Sequence, residues 1–400
     1  MKFGIIKERK NPPDRRAVFT PQELLHFKNQ YPSAEIVVER SDIRFFKDEE
    51  YENLGFELSD DLSDCDVLFG VKEVPMDALI PNKKYFFFSH TIKKQPYNRA
   101  LLKTILEKKI DLYDHETIVD ANNKRLIGFG RYAGNVGAYN GIRTFGIKYD
   151  LFHLPKAETI DGKAILIEKL KRLVLPPIKV VLTGSGKAGM GTKEILDAMK
   201  MKEVSPKDFL IKKYDSAVYT QIEVGDYYKR LDGDDFVKSE FYKKPTDFTS
   251  DFEKFSQVAD IFMAAHFYGN NAPYILTKEM LKSPKNNIKV VADISCDVDG
   301  PVACTIKAST IADPIFGYLP SEHKEVDMFH PGSIAVMSID NLPCELPKDA
   351  SEGFGEMFMK HVIPAFFNDD KDGILHRAQI SNQGKLTDRF SYLQDFVDHN

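Results

Sequence analysis

The stretch IKVVLTGSGKAGMGTKEI, residues 178–195, decides the fold of this chain. A short β-branched run leads into a glycine-rich turn, and a helix-forming segment follows it. The turn is formed by Gly184, Ser185, Gly186, Lys187, Ala188 and Gly189. A G-x-G-x-x-G pattern between a strand and a helix is typical of a dinucleotide-binding turn, in which the free N–H groups of the helix bind the phosphates.

Each glycine has a separate task in such a turn. Gly184 allows the sharp bend, Gly186 lets the backbone approach a pyrophosphate, and Gly189 lets helix and strand pack closely. The spacing from Gly186 to Gly191 also matches a P-loop, but a P-loop continues with Lys and then Ser or Thr. Here Thr192-Lys193 reverses that order, so we reject a P-loop. A purely structural glycine turn is the other alternative.

The bulk composition excludes several classes of protein. The 400 residues exceed what one core usually serves, so we expect two domains. A net charge of −5 gives no general attraction for nucleic acid or anionic membrane, and no run approaches the ~18 apolar residues of a membrane span. The start, MKFGIIKERK, has no signal-peptide pattern. Four cysteines without a C-x-x-C pair indicate reduced thiols in a cytoplasmic protein, and the scattered histidines predict no metal site.

The first part of the chain alternates short apolar strands with helices, which is typical of a parallel α/β sheet covered on both faces. A capping box, Thr20-Pro21-Gln22-Glu23, predicts a helix that runs to about Gln30. We expect another helix over 98–108 and strands over 2–6, 34–39, 66–71, 84–89 and 110–113.

The later part carries the glycine turn and returns to the first domain at its end. A long helix over 134–149 is expected to bridge the domains, with strands over 208–213, 261–265 and 289–293 and a final helix over 355–367. We therefore predict an α/β protein with two doubly wound, Rossmann-like parallel-sheet domains and an active-site cleft between them. The discontinuous substrate domain is 1–133 and 344–400, and the dinucleotide-binding domain is 134–343.

Polar residues at predicted strand ends form the candidate chemical site. Lys72, His90 and Glu116 each follow a strand of the first domain, and the carboxyl ends of such strands line the ligand crevice. A lysine, a histidine and a carboxylate opposite a nicotinamide form a sensible acid–base set. Arg16, just before a helix, is suited to a bidentate pair with a substrate carboxylate. Taken singly, a residue of this kind is more often a solvated loop residue.

Several motifs then occur in the order found in one known group of enzymes. They are RRAVFTP (15–21), GVKEVP (70–75), FFSHTIK (87–93), LYDHE (112–116), GFGRYAG (128–134), LTGSGKAGMG (182–191), ADISCD (292–297) and SIDNLPCELPKDASEGFG (338–355). The chain resembles the lysine-forming saccharopine dehydrogenases and the lysine–2-oxoglutarate reductase half of the bifunctional lysine-degrading enzymes. Both belong to the alanine dehydrogenase and transhydrogenase superfamily.

The resemblance implies roles for matching residues. Lys72 would take the proton of the secondary amine, and His90 would act as the acid–base group for water addition and carbinolamine breakdown. Glu73 and Glu116 match the carboxylates beside them. The residues that would bind the substrate are Arg16, Lys93, Arg125 and Tyr132.

On the cofactor side, Asp340 matches the aspartate near the nicotinamide. Asp215, expected at the end of the strand over 208–213, matches the acid that binds ribose hydroxyls and favours NAD. Two neighbours, Lys212 and Lys213, could accept a 2′-phosphate, so NADP stays open.

The resemblance implies an oxidoreductase that interconverts saccharopine with lysine and 2-oxoglutarate, using NAD and no partner beyond its small-molecule substrates. Two alternatives stay open: another opine-type or amino-acid dehydrogenase, such as one for alanine, and a nucleotide sensor without turnover. The sequence assigns neither the physiological direction nor the oligomeric state.

Overall fold

The computed structural model of the protein describes residues 1–269 and 271–398. The chain divides into two compact units, Met1–Phe129 with Pro347–Asn400, and Gly130–Leu346. The strands are β1 (Lys2–Ile5), β2 (Glu35–Glu39), β3 (Glu57–Ser59), β4 (Val67–Phe69), β5 (Lys84–Phe87), β6 (Asp111–Asp114), β7 (Lys179–Thr183), β8 (Lys202–Glu203), β9 (Val218–Ile222), β10 (Tyr228–Arg230), β11 (Phe248–Ser250), β12 (Ile261–Ala264), β13 (Val290–Asp293), β14 (Ile315–Leu319), β15 (Lys324–Val326), β16 (Ile334–Met337), β17 (Ser381–Asn382) and β18 (Lys385–Leu386).

The helices that cover these strands are α1 (Pro21–Gln30), α2 (Asp48–Glu52), α3 (Arg99–Glu107), α4 (Gly130–Lys148), α5 (Lys163–Lys171), α6 (Lys187–Ala198), α7 (Pro206–Ile211), α8 (Val224–Tyr227), α9 (Lys238–Lys243), α10 (Glu253–Ser256), α11 (Lys278–Lys282), α12 (Pro347–His361), α13 (Ile374–Ala378) and α14 (Gln394–Asp398). The capping box predicted for α1 is present, because the Glu23 amide donates to Thr20 Oγ1 at 3.2 Å and the Thr20 amide donates to Glu23 Oε2 at 2.9 Å. The helix expected over 134–149 is α4, which begins earlier and lies in the second unit.

The first unit is built on a parallel sheet in the order β3-β2-β1-β4-β5-β6. Its central strand β4 is wholly buried, and its neighbours β1 and β5 are buried except at their first residues, as expected when helices cover both faces. Strand β3 was not predicted, because only Leu58 in it is apolar and the strand lies at the partly exposed edge. Since β4, β5 and β6 are parallel neighbours, their carboxyl ends meet at one edge of the sheet.

The second unit has a larger sheet in the order β15-β14-β16-β13-β12-β7-β9-β8. Strands β7, β8, β9, β12, β13 and β16 are parallel, while β14 runs antiparallel to its two neighbours, β16 and β15, at one end. The predicted α/β class with parallel, doubly wound sheets is therefore confirmed. The antiparallel strands and the small β10-β11 hairpin were not predicted.

The strand predicted over 208–213 is wrong. Residues Pro206–Ile211 form helix α7, in which Ser205 Oγ accepts from the Asp208 amide at 3.1 Å and proline occupies the first turn. The strand beside β7 is β9, whose sequence VYTQI has the β-branched and aromatic residues that favour strands. Asp215 consequently lies in a bend before β9, at its amino end.

Helix α4 packs unusually closely on helix α6. A Cβ atom added at Gly134 would lie 1.9 Å from the Ala188 carbonyl oxygen, and one added at Gly191 would lie 2.0 Å from the Arg131 carbonyl oxygen. Only residues without a side chain permit this approach of the two backbones. The small residues of the GNVGAYNG segment therefore serve helix packing.

Several classes of feature are absent from residues 1–269 and 271–398. No helix there is both long and apolar enough to cross a membrane. The same residues hold no group of three or more His, Cys, Asp or Glu side chains arranged to bind a metal ion. All four cysteines are free thiols.

We predict that Gly134→Ala lowers the free energy of unfolding by about 2 kcal/mol or more, because the new methyl group must displace the backbone of α6. Gly186→Ala is the matched control, since a Cβ there would meet nothing within 4 Å. Its cost should stay within about 1 kcal/mol. Urea unfolding of both variants measures the difference, and equal costs would contradict the packing described for α4.

Candidate functional site

Three candidate residues lie just beyond the carboxyl ends of neighbouring strands in the first unit. Lys72 comes shortly after β4, His90 shortly after β5, and Glu116 two residues after β6. These strands are adjacent and parallel, so the three residues share one edge of the sheet. This is the edge where open α/β sheets place their ligands.

A buried aspartate, Asp114, organises this edge. Its Oδ2 accepts from the amides of Ser89 and His90, at 2.8 and 3.0 Å, and from the Ser89 hydroxyl. Its Oδ1 accepts from the Glu116 amide at 2.6 Å. One carboxylate thus holds the turns that follow both β5 and β6. This restraint offsets the strain of His90, whose φ of 55° lies in the left-handed region.

Glu116 is the centre of a charged cluster. Its Oε2 lies 3.1 Å from His90 Nδ1, and its Oε1 lies 3.4 Å from both Lys93 Nζ and Arg125 Nη1. Burial alone would raise the pKa of Glu116, but the hydrogen bond with His90 and the charges of Lys93 and Arg125 outweigh it and lower the pKa to about 2. Glu116 therefore stays ionised, and both its Oε2 and Lys93 Nζ, at 3.3 Å, contact His90 Nδ1, so the protein occupies the Nδ1 side of the ring.

The backbone at Lys72 is held by a second buried carboxylate, Glu8. Its two oxygens accept from the amides of Val71 and Lys72, at 2.7 and 2.8 Å. Burial and the nearby charge of Asp14 raise the pKa of Glu8 well above its usual range. Burial would also raise the pKa of Asp14, but the Arg16 guanidinium, helped by the Lys72 charge, holds it below its usual range.

Arg16 and Glu73 have internal partners that the sequence did not suggest. Arg16 is only 3% exposed, and its Nε and Nη2 donate to the two oxygens of Asp14 at 3.0 and 2.6 Å. The bidentate pair expected with a substrate carboxylate is thus made with Asp14. Glu73 Oε2 accepts from Lys10 Nζ at 2.9 Å.

The sequence gives only weak signals for the buried carboxylates of this edge. Asp114 was visible only as a charged residue that ends an apolar strand, and such a residue must find hydrogen-bond donors when it is buried. Glu8 and Asp14 lie in a polar segment whose composition resembles a surface loop, yet both are buried. Their burial depends on tertiary packing, which the sequence pattern does not display.

In the second unit the glycine turn follows β7 and opens α6. Gly184 has a φ of +91°, and a Cβ there would lie 2.6 Å from the Ala265 carbonyl oxygen. A Cβ at Gly189 would lie 2.0 Å from the Gly184 carbonyl oxygen, so the absence of a side chain there lets helix and strand pack closely. Gly186, by contrast, faces open space, because a Cβ there would meet nothing within 4 Å.

This turn has the features that a pyrophosphate requires. The first amides of α6 lie beside the exposed Gly186, with Lys187 and Ala188 in the first turn of the helix and Ser185 next to it. The open side of Gly186 leaves room for a phosphate group to approach the backbone. The residues present therefore fit a dinucleotide.

The carboxyl edge of the second sheet also carries two acidic residues. Glu223 follows β9, the strand beside the glycine turn, and Asp340 lies beyond the end of β16. Asp215, predicted for the ribose, lies at the opposite end of β9, together with Lys212 and Lys213. The expected position of these three residues at the carboxyl end of a strand was therefore wrong. Tyr132, assigned to the substrate, is buried in the first turn of α4.

Two family models match most of the chain. The model described as "Alanine dehydrogenase/PNT, N-terminal domain" matches residues 4–136, and the model described as "Alanine dehydrogenase/PNT, C-terminal domain" matches residues 157–388. The chain belongs to the alanine dehydrogenase/PNT family. The resemblance inferred from the motifs is confirmed at this level.

Among the curated relatives that match this chain, two protein names recur. Alpha-aminoadipic semialdehyde synthase of Arabidopsis thaliana is 30% identical over 98% of this chain, and the mitochondrial protein of that name from Bos taurus is 26% identical over 98%. The chain spans 41% and 47% of their lengths. Saccharopine dehydrogenase [NAD(+), L-lysine-forming] of Yarrowia lipolytica is 22% identical, with 90% of each chain covered.

Solved structures of the family share the fold. An L-alanine dehydrogenase superposes with a TM-score of 0.67 and 16% identity, covering 99% of each chain. The transhydrogenase from Sinorhizobium meliloti gives a TM-score of 0.61, also with 16% identity, and covers 97% of this chain. At such identities the likeness concerns the fold alone.

We predict that Asp114→Ala lowers the free energy of unfolding by about 3 kcal/mol or more, because one buried and two partly buried backbone amides lose their acceptor and each orphaned donor costs ~1–3 kcal/mol. Asp120→Ala is the control, since the Asp120 carboxylate accepts from the amides of Asn122 and Lys124 in an exposed turn. Its effect should stay below about 1 kcal/mol. Chemical denaturation distinguishes the two, and a small effect at Asp114 would contradict its role at this edge.

Proposed function

We propose that this protein is a nicotinamide-dependent oxidoreductase that interconverts saccharopine with L-lysine and 2-oxoglutarate. One observation carries the proposal. Glu116 gathers His90, Lys93 and Arg125 within 3.4 Å at the strand edge that also bears Lys72. This edge of the sheet thus combines acid–base groups with cations that can bind carboxylates. Relatives named for saccharopine chemistry, matched over 90% or more of the chain, support the same conclusion.

The reaction needs two kinds of proton transfer. A secondary ammonium must lose a proton before its C–H bond can be oxidised to an imine, and we assign that proton to Lys72 Nζ. Water must then add to the imine and the amine must leave, and His90 Nε2 is suited to both proton transfers because Glu116 occupies the Nδ1 side. The ionised Glu116 also stabilises the imidazolium that forms on His90. A bound nicotinamide supplies or accepts the hydride.

The cations around Glu116 favour a substrate rich in carboxylates. Lys93 is 46% exposed and Arg125 is 40% exposed at their side chains, so both can approach a ligand while they remain near Glu116. A guanidinium binds a carboxylate through two parallel hydrogen bonds. Saccharopine carries three carboxylates and alanine only one, so this cluster favours saccharopine over alanine.

We further propose that the first unit is the substrate domain and the second unit binds the dinucleotide, with NAD preferred. Glu223 supports this preference, because an acidic residue at the end of the strand beside the glycine turn accepts from ribose hydroxyls and repels a 2′-phosphate. Asp340 is assigned to the nicotinamide end by its match to the family motif. A cytoplasmic location is also part of the proposal, and the four free thiols support it.

A turnover assay tests the reaction. The protein is mixed with NADH or NADPH, 2-oxoglutarate and a panel of amines, and the absorbance of the reduced cofactor is followed. We expect oxidation that depends on lysine. Turnover with pyruvate and ammonia but not with lysine would contradict the proposal, and cofactor binding without any turnover would favour a nucleotide sensor.

The role of Lys72 is tested by Lys72→Met. Loss of its amine should lower kcat by roughly 100-fold or more, the usual contribution of one general acid–base group. NADH affinity, measured by the fluorescence of the bound cofactor, should stay nearly unchanged. Lys83→Met, at the amino end of β5, is the control and should leave kcat within about twofold, because Lys83 lies at the opposite edge of the sheet. A large loss of NADH affinity in Lys72→Met would contradict the assignment.

Cofactor preference is tested by Glu223→Arg and Asp215→Arg. We expect Glu223→Arg to raise kcat/KM for NADPH relative to NADH by about tenfold or more, since a guanidinium pairs with the 2′-phosphate. Asp215→Arg makes the same charge change at the other end of β9 and should leave the ratio unchanged. The reverse result would restore Asp215 as the ribose-binding residue.

A further inference from the structure

A cavity of about 860 Å³ opens at the amino edge of the second sheet, at the opposite end of the strands from the glycine turn. It is bordered by the start of β13 and β16, the end of β14 and the end of α4. Its volume is in the range of small-molecule sites. Its position separates it from the carboxyl edge, where the dinucleotide is expected.

The lining of this cavity is positively charged. It includes Lys148, Lys282, Lys289 and His330, and no carboxylate side chain contributes to it. This charge is local, since the whole chain has a net charge of −5. Ser283, Asn286 and Ser333 add polar groups to the same wall.

The lysines are incompletely neutralised by the protein. Lys148 Nζ donates to the Met328 carbonyl oxygen at 2.8 Å and to Ser333 Oγ at 3.3 Å, which uses two of its three N–H donors. Burial and the charge of Lys289 lower the pKa of Lys148, although Asp327 acts in the opposite sense. Within residues 1–269 and 271–398, neither Lys282 nor Lys289 has a carboxylate oxygen within 4.0 Å.

From this arrangement we infer a binding site for a small polyanion, a molecule with two or more carboxylate or phosphate groups. Lys148 and Lys289 approach from the end of a helix and the start of a strand, and Lys282 adds a third charge at the rim. An anion between them relieves the repulsion of like charges and takes the remaining donor of Lys148. The polar side chains of Ser283 and Asn286 supply further hydrogen bonds. The site is distinct from both edges that carry the proposed chemistry.

Isothermal titration calorimetry with citrate and with inorganic pyrophosphate tests the inference on the full chain saturated with NADH. NADH is expected to occupy the glycine turn, so pyrophosphate cannot bind there during the titration. The double variant Lys282→Gln/Lys289→Gln should bind one anion fewer per chain, or bind that anion roughly tenfold more weakly. If the double variant loses only the binding of citrate, the ligand is a polycarboxylate. If it loses only the binding of pyrophosphate, the ligand is a phosphate.

Lys285→Gln is the matched control, because Lys285 is exposed in the same segment but does not line the cavity. It should bind both probes as the wild type does. Without either probe, both variants should keep wild-type kcat and KM for NADH, which excludes misfolding as the cause. The inference would be overturned if the double variant bound citrate and pyrophosphate as the wild type does. It would also be overturned if the wild type bound neither probe.

Discussion

The carboxylate of Asp114 is the interaction on which the chemical edge of the first unit depends. Parallel pairing brings the ends of β5 and β6 side by side, but pairing alone does not orient the residues that follow them. Asp114 does so by accepting from Ser89 and His90 on one side and from Glu116 on the other. The distance between His90 and Glu116 follows from this shared acceptor. The same carboxylate therefore controls both the fold of the two turns and their chemistry.

The glycine turn of the second unit is positioned in a different way. Its glycine turn depends on the close approach of backbone to backbone, at Gly184 against Ala265 and at Gly134 against Ala188. Because Gly184 and Gly134 have no side chain, the turn and the neighbouring helix can approach other backbone segments this closely. Gly186 differs from these, because a Cβ there would meet nothing within 4 Å. The residues that follow β5 and β6 are thus held by a shared carboxylate, whereas the turn that follows β7 depends on the absence of side chains.

The sequence predicted those features that local residues determine. The β-branched run before Gly184 and the capping box at Thr20 depend on near neighbours, and the structure contains both. The strand over 208–213 was wrong because Ser205-Pro206 begins a helix, a local signal that outweighs the apolar residues that follow. That error placed Asp215 at the carboxyl end of a strand, whereas the acidic residue that follows β9 is Glu223. Asp114 and Glu8 could not be identified as buried, since their burial arises from strands and loops distant in sequence.

The central claim is that hydride transfer to an imine of lysine and 2-oxoglutarate takes place on this chain. The most direct measurement uses NADH carrying deuterium at the transferred position of the nicotinamide, together with lysine and 2-oxoglutarate, and mass spectrometry of the product. We expect saccharopine with one deuterium on the carbon that was the keto carbon of 2-oxoglutarate. Oxidation of the cofactor without deuterium in saccharopine, or label recovered only in alanine formed from pyruvate, would contradict the account.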